Sequence, residues 1–373
     1  MRARPSFAGA AIEVSDLARS IAFHRLWLPM LGFRRVWGSP DRVMWSRGYD
    51  HFVMRQAKDG VAHGPGALWL AVSAESRAQV DLVHAELRDS GAQIIQPPQE
   101  LDYFAPGYYS VGFRDPDGVP IEVVHRWDEL PDLPDAEQVR VPGHGVTLGG
   151  YFFKPQAGTP PYPAVVLLHG FAGHAHTMAG LARAASANGY AALALSLRGW
   201  LGSEGESDQG LRQPLDVLAA IDWFAARPLV DRERLGLIGA SMGGQVALLT
   251  AAHKPPVRAV AAFFAPTDLA RWREGNPFIR DYLDDLCGPE GLPVRSPILR
   301  VAQIEAPVLF IHGDQDENVS VTQSIAMEEA LKSHGKEAET FIVPGATHFF
   351  TEQQNALARR RLFDFLRRHL NRS

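Results

Sequence analysis

Apolar and polar positions follow two different arrangements, one on each side of an acidic stretch that contains two prolines, residues 128–137. Before this stretch, short apolar runs and helical patterns predict a unit of one strand, one helix and three strands, and this unit occurs twice. After it, continuous apolar runs alternate with helical patterns at a spacing typical of a mostly parallel sheet with helices on both faces. The pattern predicts two domains, residues 1–127 and 138–373, joined by a linker over residues 128–137.

The first domain is predicted to be an α+β fold of two βαβββ modules. The first module begins with a strand over residues 8–14, and Asp16 then caps a helix that Gly32 ends. The second module begins with a strand over residues 67–72 and a helix over residues 76–89. Three strand-like runs follow each helix, so the repeat is one of structure rather than of sequence.

The most informative stretch of the second domain is an apolar run at residues 235–238 that leads into Gly-x-Ser-x-Gly at residues 239–243. A helical pattern follows at once. A strand, a sharp turn with serine at its apex, and a helix form a nucleophile elbow. Glycines are needed beside the serine because side chains there would clash with the neighbouring strand and helix. Ser241 is therefore the predicted nucleophile.

A serine hydroxyl needs a base to take its proton, and the base needs an acid to orient it. Two polar loops downstream follow predicted strands and supply both groups. One loop contains His348, and the other contains Asp314 and Asp316. Both loops leave the carboxyl ends of parallel strands, where open sheets place their sites. On this ground alone, either aspartate can be the acid.

A glycine-rich turn over residues 169–174 follows another predicted strand. Such a turn can aim backbone N–H groups inward, and the residue after the nucleophile supplies a second donor. The predicted oxyanion hole therefore consists of the N–H groups of Phe171 and Met242. His174 in this turn and Trp200 in a later loop are predicted to contact the substrate.

With these motifs, residues 138–373 resemble the α/β-hydrolase superfamily, in which the triad follows the order Ser241, Asp316, His348. The subgroup that it resembles most contains dienelactone hydrolase-like esterases and the catalytic domains of prolyl oligopeptidase-type peptidases. The resemblance of residues 312–319 to the family pattern His-Gly-x-x-Asp-x-x-Val places the acid at Asp316. It also implies an acyl-enzyme intermediate. Dienelactone hydrolases have cysteine in place of Ser241, so the resemblance does not carry over their substrate.

Residues 265–305, between two predicted strands, are enough for a small helical cover over a modest apolar pocket. The main prediction is thus a serine hydrolase acting on a carboxylic ester or thioester with a small acyl or aryl group. A prolyl oligopeptidase-type serine peptidase or amide hydrolase is the alternative.

The βαβββ repeat, the opening residues 14–23 and the turn at residues 115–118 make residues 7–126 resemble the vicinal oxygen chelate superfamily. That family includes glyoxalases, extradiol dioxygenases and bleomycin-resistance proteins. The resemblance implies metal ligands near Gly9 and Trp69, with Glu122 as a third. Glycine and tryptophan offer no lone pair to a metal, and one carboxylate does not hold a transition metal against water.

We therefore expect no metal in the first domain, which we interpret as a binding or dimerising module. A homodimer through this domain is a hypothesis. A second class of function remains open, in which this domain carries a ligand-binding or metal-dependent activity.

Composition narrows the choice of partners. The net charge is −5, from 37 Lys+Arg and 42 Asp+Glu, and no basic block indicates nucleic acid. The single cysteine, Cys287, excludes an intrachain disulfide and fits a reducing compartment. No signal peptide and no apolar run of membrane-spanning length are expected. The sequence thus predicts a cytoplasmic enzyme with a small-molecule substrate, no cofactor and no membrane partner.

Overall fold

The computed structural model describes residues 9–47, 50–57, 70–74, 76–101, 108–125, 130–171, 173–275 and 277–371. The chain divides into two compact units, residues 1–127 and 128–373. Each unit has its own hydrophobic core.

The described part of the first unit forms two modules, each with one main helix and a four-stranded sheet. The elements are β1 (Gly9–Val14), α1 (Leu17–His24), β2 (Arg34–Ser39), β3 (Arg42–Arg47), β4 (Asp50–Gln56), β5 (Leu70–Ser73), α2 (Arg77–Asp89), β6 (Ile94–Glu100), β7 (Tyr109–Arg114) and β8 (Pro120–His125). The sheet orders are β1-β4-β3-β2 and β5-β8-β7-β6, with the first two strands of each parallel. The predicted α+β repeat is confirmed.

The helix predicted to reach Gly32 is divided in two. Asp16 caps its start as expected, but α1 ends at His24, and a 3-10 helix covers Leu28–Leu31. Pro29 at the start of the second piece explains the break, because proline lacks an N–H and its ring clashes with the preceding helical turn. Gly32 ends the 3-10 helix in the left-handed region, with a φ of 81°.

Residues 130–371 of the second unit contain an eight-stranded sheet of order β16-β15-β14-β13-β11-β12-β10-β9. β10 runs antiparallel to its neighbours, and the other pairs are parallel. This is the predicted mostly parallel α/β-hydrolase sheet. The elements that build it are β9 (Glu137–Pro142), β10 (Thr147–Phe153), β11 (Tyr162–Leu168), α3 (Ala179–Ala187), β12 (Ala191–Leu195), α4 (Gln213–Ala225), β13 (Val230–Ala240), α5 (Met242–Ala251), β14 (Val257–Phe263), α6 (Leu269–Gly275), α7 (Pro277–Leu286), β15 (Val308–Gly313), α8 (Thr322–Ser333), β16 (Ala338–Val343) and α9 (Glu352–Leu370).

Both faces of this sheet are buried. In β11, Val166 belongs to the core beneath α4, α5 and α8, while its neighbour Val165 belongs to the core beneath α3 and α9. Successive strand residues point to opposite faces, so a sheet covered on both sides needs continuous apolar strands. This explains the unbroken apolar runs of the sequence.

The segment after β14 forms a small helical cover, as the sequence predicts. Its helices α6 and α7 have a core of their own, made of Leu269, Leu283 and Leu292. The indole N–H of Trp272 in α6 donates to the carbonyl of Asn318, at 2.7 Å. The cover is therefore attached to the loop that follows β15.

Residues 128–137 were predicted to be a linker, and their described part packs on the second unit. Leu130 is buried, and the Tyr151 hydroxyl donates to the carbonyl of Pro131. Asp135 accepts two hydrogen bonds from the Arg183 guanidinium. In the described ranges no helix is long and apolar enough to cross a membrane.

Candidate active site

Ser241 lies at the turn between β13 and α5, with φ 53° and ψ −119°. Positive φ is strained for a residue with a side chain and persists only where the surroundings hold it. Here the Ser241 N–H donates to the Phe263 carbonyl of β14, at 2.8 Å. The turn thus has the strained backbone expected of a nucleophile elbow.

The two flanking glycines are required by close backbone contacts. A Cβ on Gly239 would lie 2.1 Å from the carbonyl oxygen of Gly243, and a Cβ on Gly243 would lie 2.3 Å from the carbonyl oxygen of Leu168. Both distances are far below van der Waals contact. The Gly-x-Ser-x-Gly pattern therefore reflects the packing of α5 against β13 and β11.

Ser241, His348 and Asp316 form a hydrogen-bonded chain. His348 Nε2 lies 3.2 Å from Ser241 Oγ, and His348 Nδ1 lies 2.7 Å from Asp316 Oδ2. With the proton on Nδ1, Nε2 is free to accept the serine proton. The structure thus brings together the three residues that the sequence predicts as a triad.

Of the two candidate aspartates, Asp316 is the one that contacts His348. Asp314 instead accepts a hydrogen bond from the Gly345 N–H, at 2.7 Å. Burial raises the pKa of Asp316, but hydrogen bonds from His312 and His348 outweigh burial and hold that pKa well below its usual range. Asp316 is therefore a carboxylate when His348 needs a negative partner.

The predicted oxyanion loop lies directly against the serine. A Cβ on Gly170 would be 3.3 Å from Ser241 Cβ. The Gly170 carbonyl accepts hydrogen bonds from His169 Nδ1, at 2.7 Å, and from the Gly173 N–H, at 3.1 Å. In a trans peptide the C=O and the next N–H point in opposite directions, so the Phe171 N–H is turned away from His169.

His169 is held so that it can act as this donor. Its Nε2 accepts the Leu197 N–H, at 2.9 Å, which leaves the ring proton on Nδ1. Burial lowers the pKa of His169 to about 3, and the ring stays neutral. Met242, the other predicted oxyanion donor, is the first residue of α5, where a helix leaves its N–H groups without intrahelical partners.

An aromatic cluster extends from the oxyanion loop. The Phe171 ring is 5.0 Å from Trp200 and 5.4 Å from Tyr282, and both contacts are edge-to-face. Trp200, predicted to contact the substrate, thus lies beside the oxyanion loop. Tyr282 comes from α7, in the segment that the sequence predicts only as a small helical cover.

Buried glutamines hold Tyr282 in this cluster. Its hydroxyl donates to Gln209 Oε1, at 3.0 Å, and the Gln209 amide donates to Gln245 Oε1, at 2.8 Å. The Gln245 amide in turn donates to the Arg295 carbonyl, at 2.8 Å. These contacts hold the tyrosine hydroxyl on Gln209. Sequence reasoning missed both glutamines, because neither lies in a motif.

His174, also predicted to contact substrate, is 4% exposed. Its ring centroid lies 6.2 Å from that of His176, and its carbonyl accepts hydrogen bonds from Thr177. Its burial leaves little surface for a substrate, and the substrate contact stays a prediction.

In the first unit, Glu122 accepts a hydrogen bond from the Tyr108 hydroxyl, at 2.8 Å. Gly9 begins β1, and Trp69 lies outside the described residues. Among the residues that the structure describes, no three His, Cys, Asp or Glu side chains are grouped to hold a metal. The role of this unit stays a prediction.

Two family matches divide the sequence as the fold does. Residues 182–373 match the prolyl oligopeptidase family, and residues 7–123 match the Glyoxalase/Bleomycin resistance protein/Dioxygenase superfamily. The first match covers half of the chain. The chain belongs to the prolyl oligopeptidase family. It is a hydrolase with a glyoxalase-type domain at its N-terminal side, which confirms both resemblances.

Relatives in this family differ in how much of their length they share with the chain. An uncharacterised peptidase of Bacillus subtilis, YtmA, is 30% identical over 189 residues, which are 49% of this chain and 74% of the relative. Acylamino-acid-releasing enzyme 1 of Oryza sativa subsp. japonica is 27% identical over 223 residues, 52% of this chain but only 28% of the relative.

Solved structures share the fold at lower identity. An acylaminoacyl peptidase of Pyrococcus horikoshii has a TM-score of 0.57 and 19% identity, over 72% of this chain and 49% of its own. The Pyrococcus furiosus esterase Pf2001 has a TM-score of 0.55 and 20% identity, over 63% of this chain and 92% of its own. Peptidases and esterases both have this fold, so the fold leaves the substrate open.

Proposed function

We propose that this hydrolase cleaves carboxylic esters or thioesters that carry a small apolar acyl or aryl group. The observation that carries the proposal is the cluster of Phe171, Trp200 and Tyr282 beside the oxyanion loop. Burial raises the pKa of Tyr282 to about 12, so the hydroxyl keeps its proton and remains a donor to Gln209. The cluster therefore offers aromatic carbon rather than charge to a substrate.

In the proposed reaction, Ser241 Oγ attacks the carbonyl carbon while His348 Nε2 takes its proton. His348 then gives this proton to the leaving alkoxide or thiolate, and an acyl-enzyme remains. Water, activated by the same nitrogen, releases the acid. Asp316 orients the imidazole and stabilises its charged form, and the low pKa of Asp316 suits this role.

The N–H groups of Phe171 and Met242 are the proposed oxyanion donors. Two features support them. The Gly170 carbonyl faces His169, so the following N–H faces the other way, and Gly170 itself packs on Ser241. Met242 begins α5, whose positive dipole end lies at the serine.

Peptide or N-acyl amide cleavage is the second candidate. It is favoured by the family match and by relatives that are named as peptidases. The same triad can cleave an amide, with His348 protonating the leaving amine. A parallel panel of nitrophenyl esters, acyl thioesters, peptides and acyl-aminoacyl anilides separates the two, and higher kcat/KM for amides would overturn the ester proposal.

The replacement Ser241→Ala tests the nucleophile itself. We expect hydrolysis of nitrophenyl acetate to fall by roughly 10⁶-fold in kcat, which brings it to background. A fluorophosphonate probe should label the native chain and leave the variant unlabelled. Turnover retained by the variant would contradict the proposed mechanism.

A further inference from the structure

The proposed mechanism gives no role to His312, a buried histidine beside the triad. His312, at the end of β15, is fully buried, and it precedes Asp316 by four residues. Its Nε2 lies 3.3 Å from Asp316 Oδ2, the oxygen that also faces His348. Asp316 Oδ2 thus faces two imidazoles.

The contacts of His312 fix where its ring hydrogen lies. Nε2 is 2.8 Å from the Val319 carbonyl, which can only accept, so Nε2 carries a hydrogen. Nδ1 is 2.7 Å from the hydroxyl of Ser324 in α8. A serine that donates to Nδ1 keeps the ring hydrogen on Nε2, where it faces both Val319 and Asp316.

The Asp316 carboxylate is surrounded by donors from the described residues. Its Oδ1 accepts the N–H groups of Asn318 and Val319, each at 2.9 Å. Its Oδ2 faces His348 Nδ1 and His312 Nε2. The two backbone donors belong to the same short loop as the carboxylate, whereas the imidazoles come from β15 and from the loop before α9. The imidazoles therefore set the direction of Oδ2.

We propose that His312 is a positioning residue that, with Ser324 behind it, holds the Asp316 carboxylate against His348. The proposal rests on the proposed serine-hydrolase function and extends its triad to the chain Ser241–His348–Asp316–His312–Ser324. His312 touches no substrate and acts through Asp316 alone. The backbone donors to Asp316 all come from its own loop and act on Oδ1. A donor fixed on β15 is therefore needed to hold Oδ2 against His348.

The pH profile distinguishes this role from simple packing. From β15 Asp316 faces His312, and from the loop before α9 it faces His348, while Asp314 is turned to Gly345. Removing the His312 donor leaves the negative charge of Asp316 with fewer partners, so this charge stabilises the protonated form of the neighbouring imidazole more strongly. The acid limb of kcat/KM then moves to higher pH, which a packing defect does not cause.

The experiment compares His312→Leu with His312→Gln, using nitrophenyl acetate and the whole chain. We expect the leucine variant to lose roughly 10- to 100-fold in kcat, as for one hydrogen bond to a charged group, with KM little changed. Its acid limb should move to higher pH. Glutamine places an amide N–H near the position of Nε2, so it should restore most of kcat and the native limb.

Two further variants complete the test. Ser324→Ala should lower kcat by less than His312→Leu and move the acid limb in the same direction. If the leucine variant does not fold, Ser324→Ala and His312→Gln together provide the test. His334→Gln, an exposed histidine after the same helix α8, should match the native enzyme.

The positioning role would be overturned if His312→Leu kept the native kcat. It would also be overturned if kcat fell while the acid limb did not move and glutamine did not restore activity. If Ser241→Ala also retains activity, the proposed function fails. If only Ser241→Ala is inactive and the His312 variants are native, the positioning role alone fails.

Discussion

At the scale of single residues, the structure separates two aspartates that lie two positions apart in one loop. The β15–α8 loop turns Asp316 onto His348 and Asp314 onto the Gly345 backbone. The alternation of strand and helix patterns identifies this loop from the sequence, because the loop follows a predicted strand. The pattern does not say which side chain of the loop faces inward. That choice depends on the path of the loop, and only the family pattern pointed to Asp316.

Paired asparagine variants test this separation. In Asp316→Asn the amide N–H₂ can face His348 Nδ1, which favours the tautomer that carries its proton on Nε2 and cannot accept the serine proton. We expect kcat to fall on the order of 10³- to 10⁴-fold. Asp314→Asn should keep kcat within about twofold, because its contact is to a backbone N–H away from the triad. Equal losses in steady-state hydrolysis of nitrophenyl acetate would contradict the assignment.

Other residues of the site were beyond sequence reasoning for a physical reason. Ser241 could be found because the elbow is local, with strand, turn and helix within a short stretch. Tyr282 reaches Phe171 only because α7 packs beside the loop after β11, and no periodicity in α7 encodes that contact. Gln209 and Gln245 are buried polar residues whose partners come from different elements, so their pairing follows from tertiary packing alone.

At the scale of elements, the sequence again reveals local patterns but not the contacts made in the folded chain. Periodicity located both modules and the parallel sheet, since each element buries a regular face. It placed one helix where there are two, because it ignores the missing N–H and the ring of Pro29. Composition predicts a linker over residues 128–137, and the structure adds that the described part of this stretch contacts Tyr151 and Arg183.

The loop that carries Trp200 is held by a buried ion pair. Arg198 and Asp216 are 3% and 0% exposed in their side chains, and Arg198 Nη2 lies 2.6 Å from Asp216 Oδ1. The same guanidinium donates to the His144 carbonyl, at 2.9 Å. The pair therefore joins the loop after β12, helix α4 and the β9–β10 turn.

Arg198→Met should destabilise the second unit by about 3–5 kcal/mol, because it leaves the Asp216 charge buried without its partner. The exposed pair of Arg183 and Asp135 has the same two-bond geometry, with both side chains 43% exposed. Arg183→Met should therefore cost no more than about 1 kcal/mol. Urea unfolding of both variants gives the two differences. A similar cost for both would show that burial does not decide the value of this contact.

At the scale of the whole molecule, each unit encloses a neutral histidine that makes its stability depend on pH. In the first unit, His24 lies among the rings of Phe23, Trp27 and Phe52, with centroids 5.2–5.6 Å away. Burial lowers its pKa to about 4, from an ordinary value of 6.5. In the second unit, burial lowers the pKa of His169 to about 3. Both depressions are much larger than the shifts of surface histidines.

Because these pKa values are lower in the folded than in the unfolded chain, unfolding takes up a proton below pH 6.5, and stability falls as the pH falls. For His24 the loss is about 1.4 kcal/mol per pH unit between pH 6.5 and 4. His24→Leu has no such group, so the stability of the first unit should fall less between pH 7 and pH 5 than it does in the native chain. Calorimetry at pH 7 and pH 5 measures this difference. The unfolding transition of the second unit and ester hydrolysis at pH 7 should be unchanged and serve as controls. An unchanged pH dependence of the first transition would mean that His24 is not buried as a neutral ring.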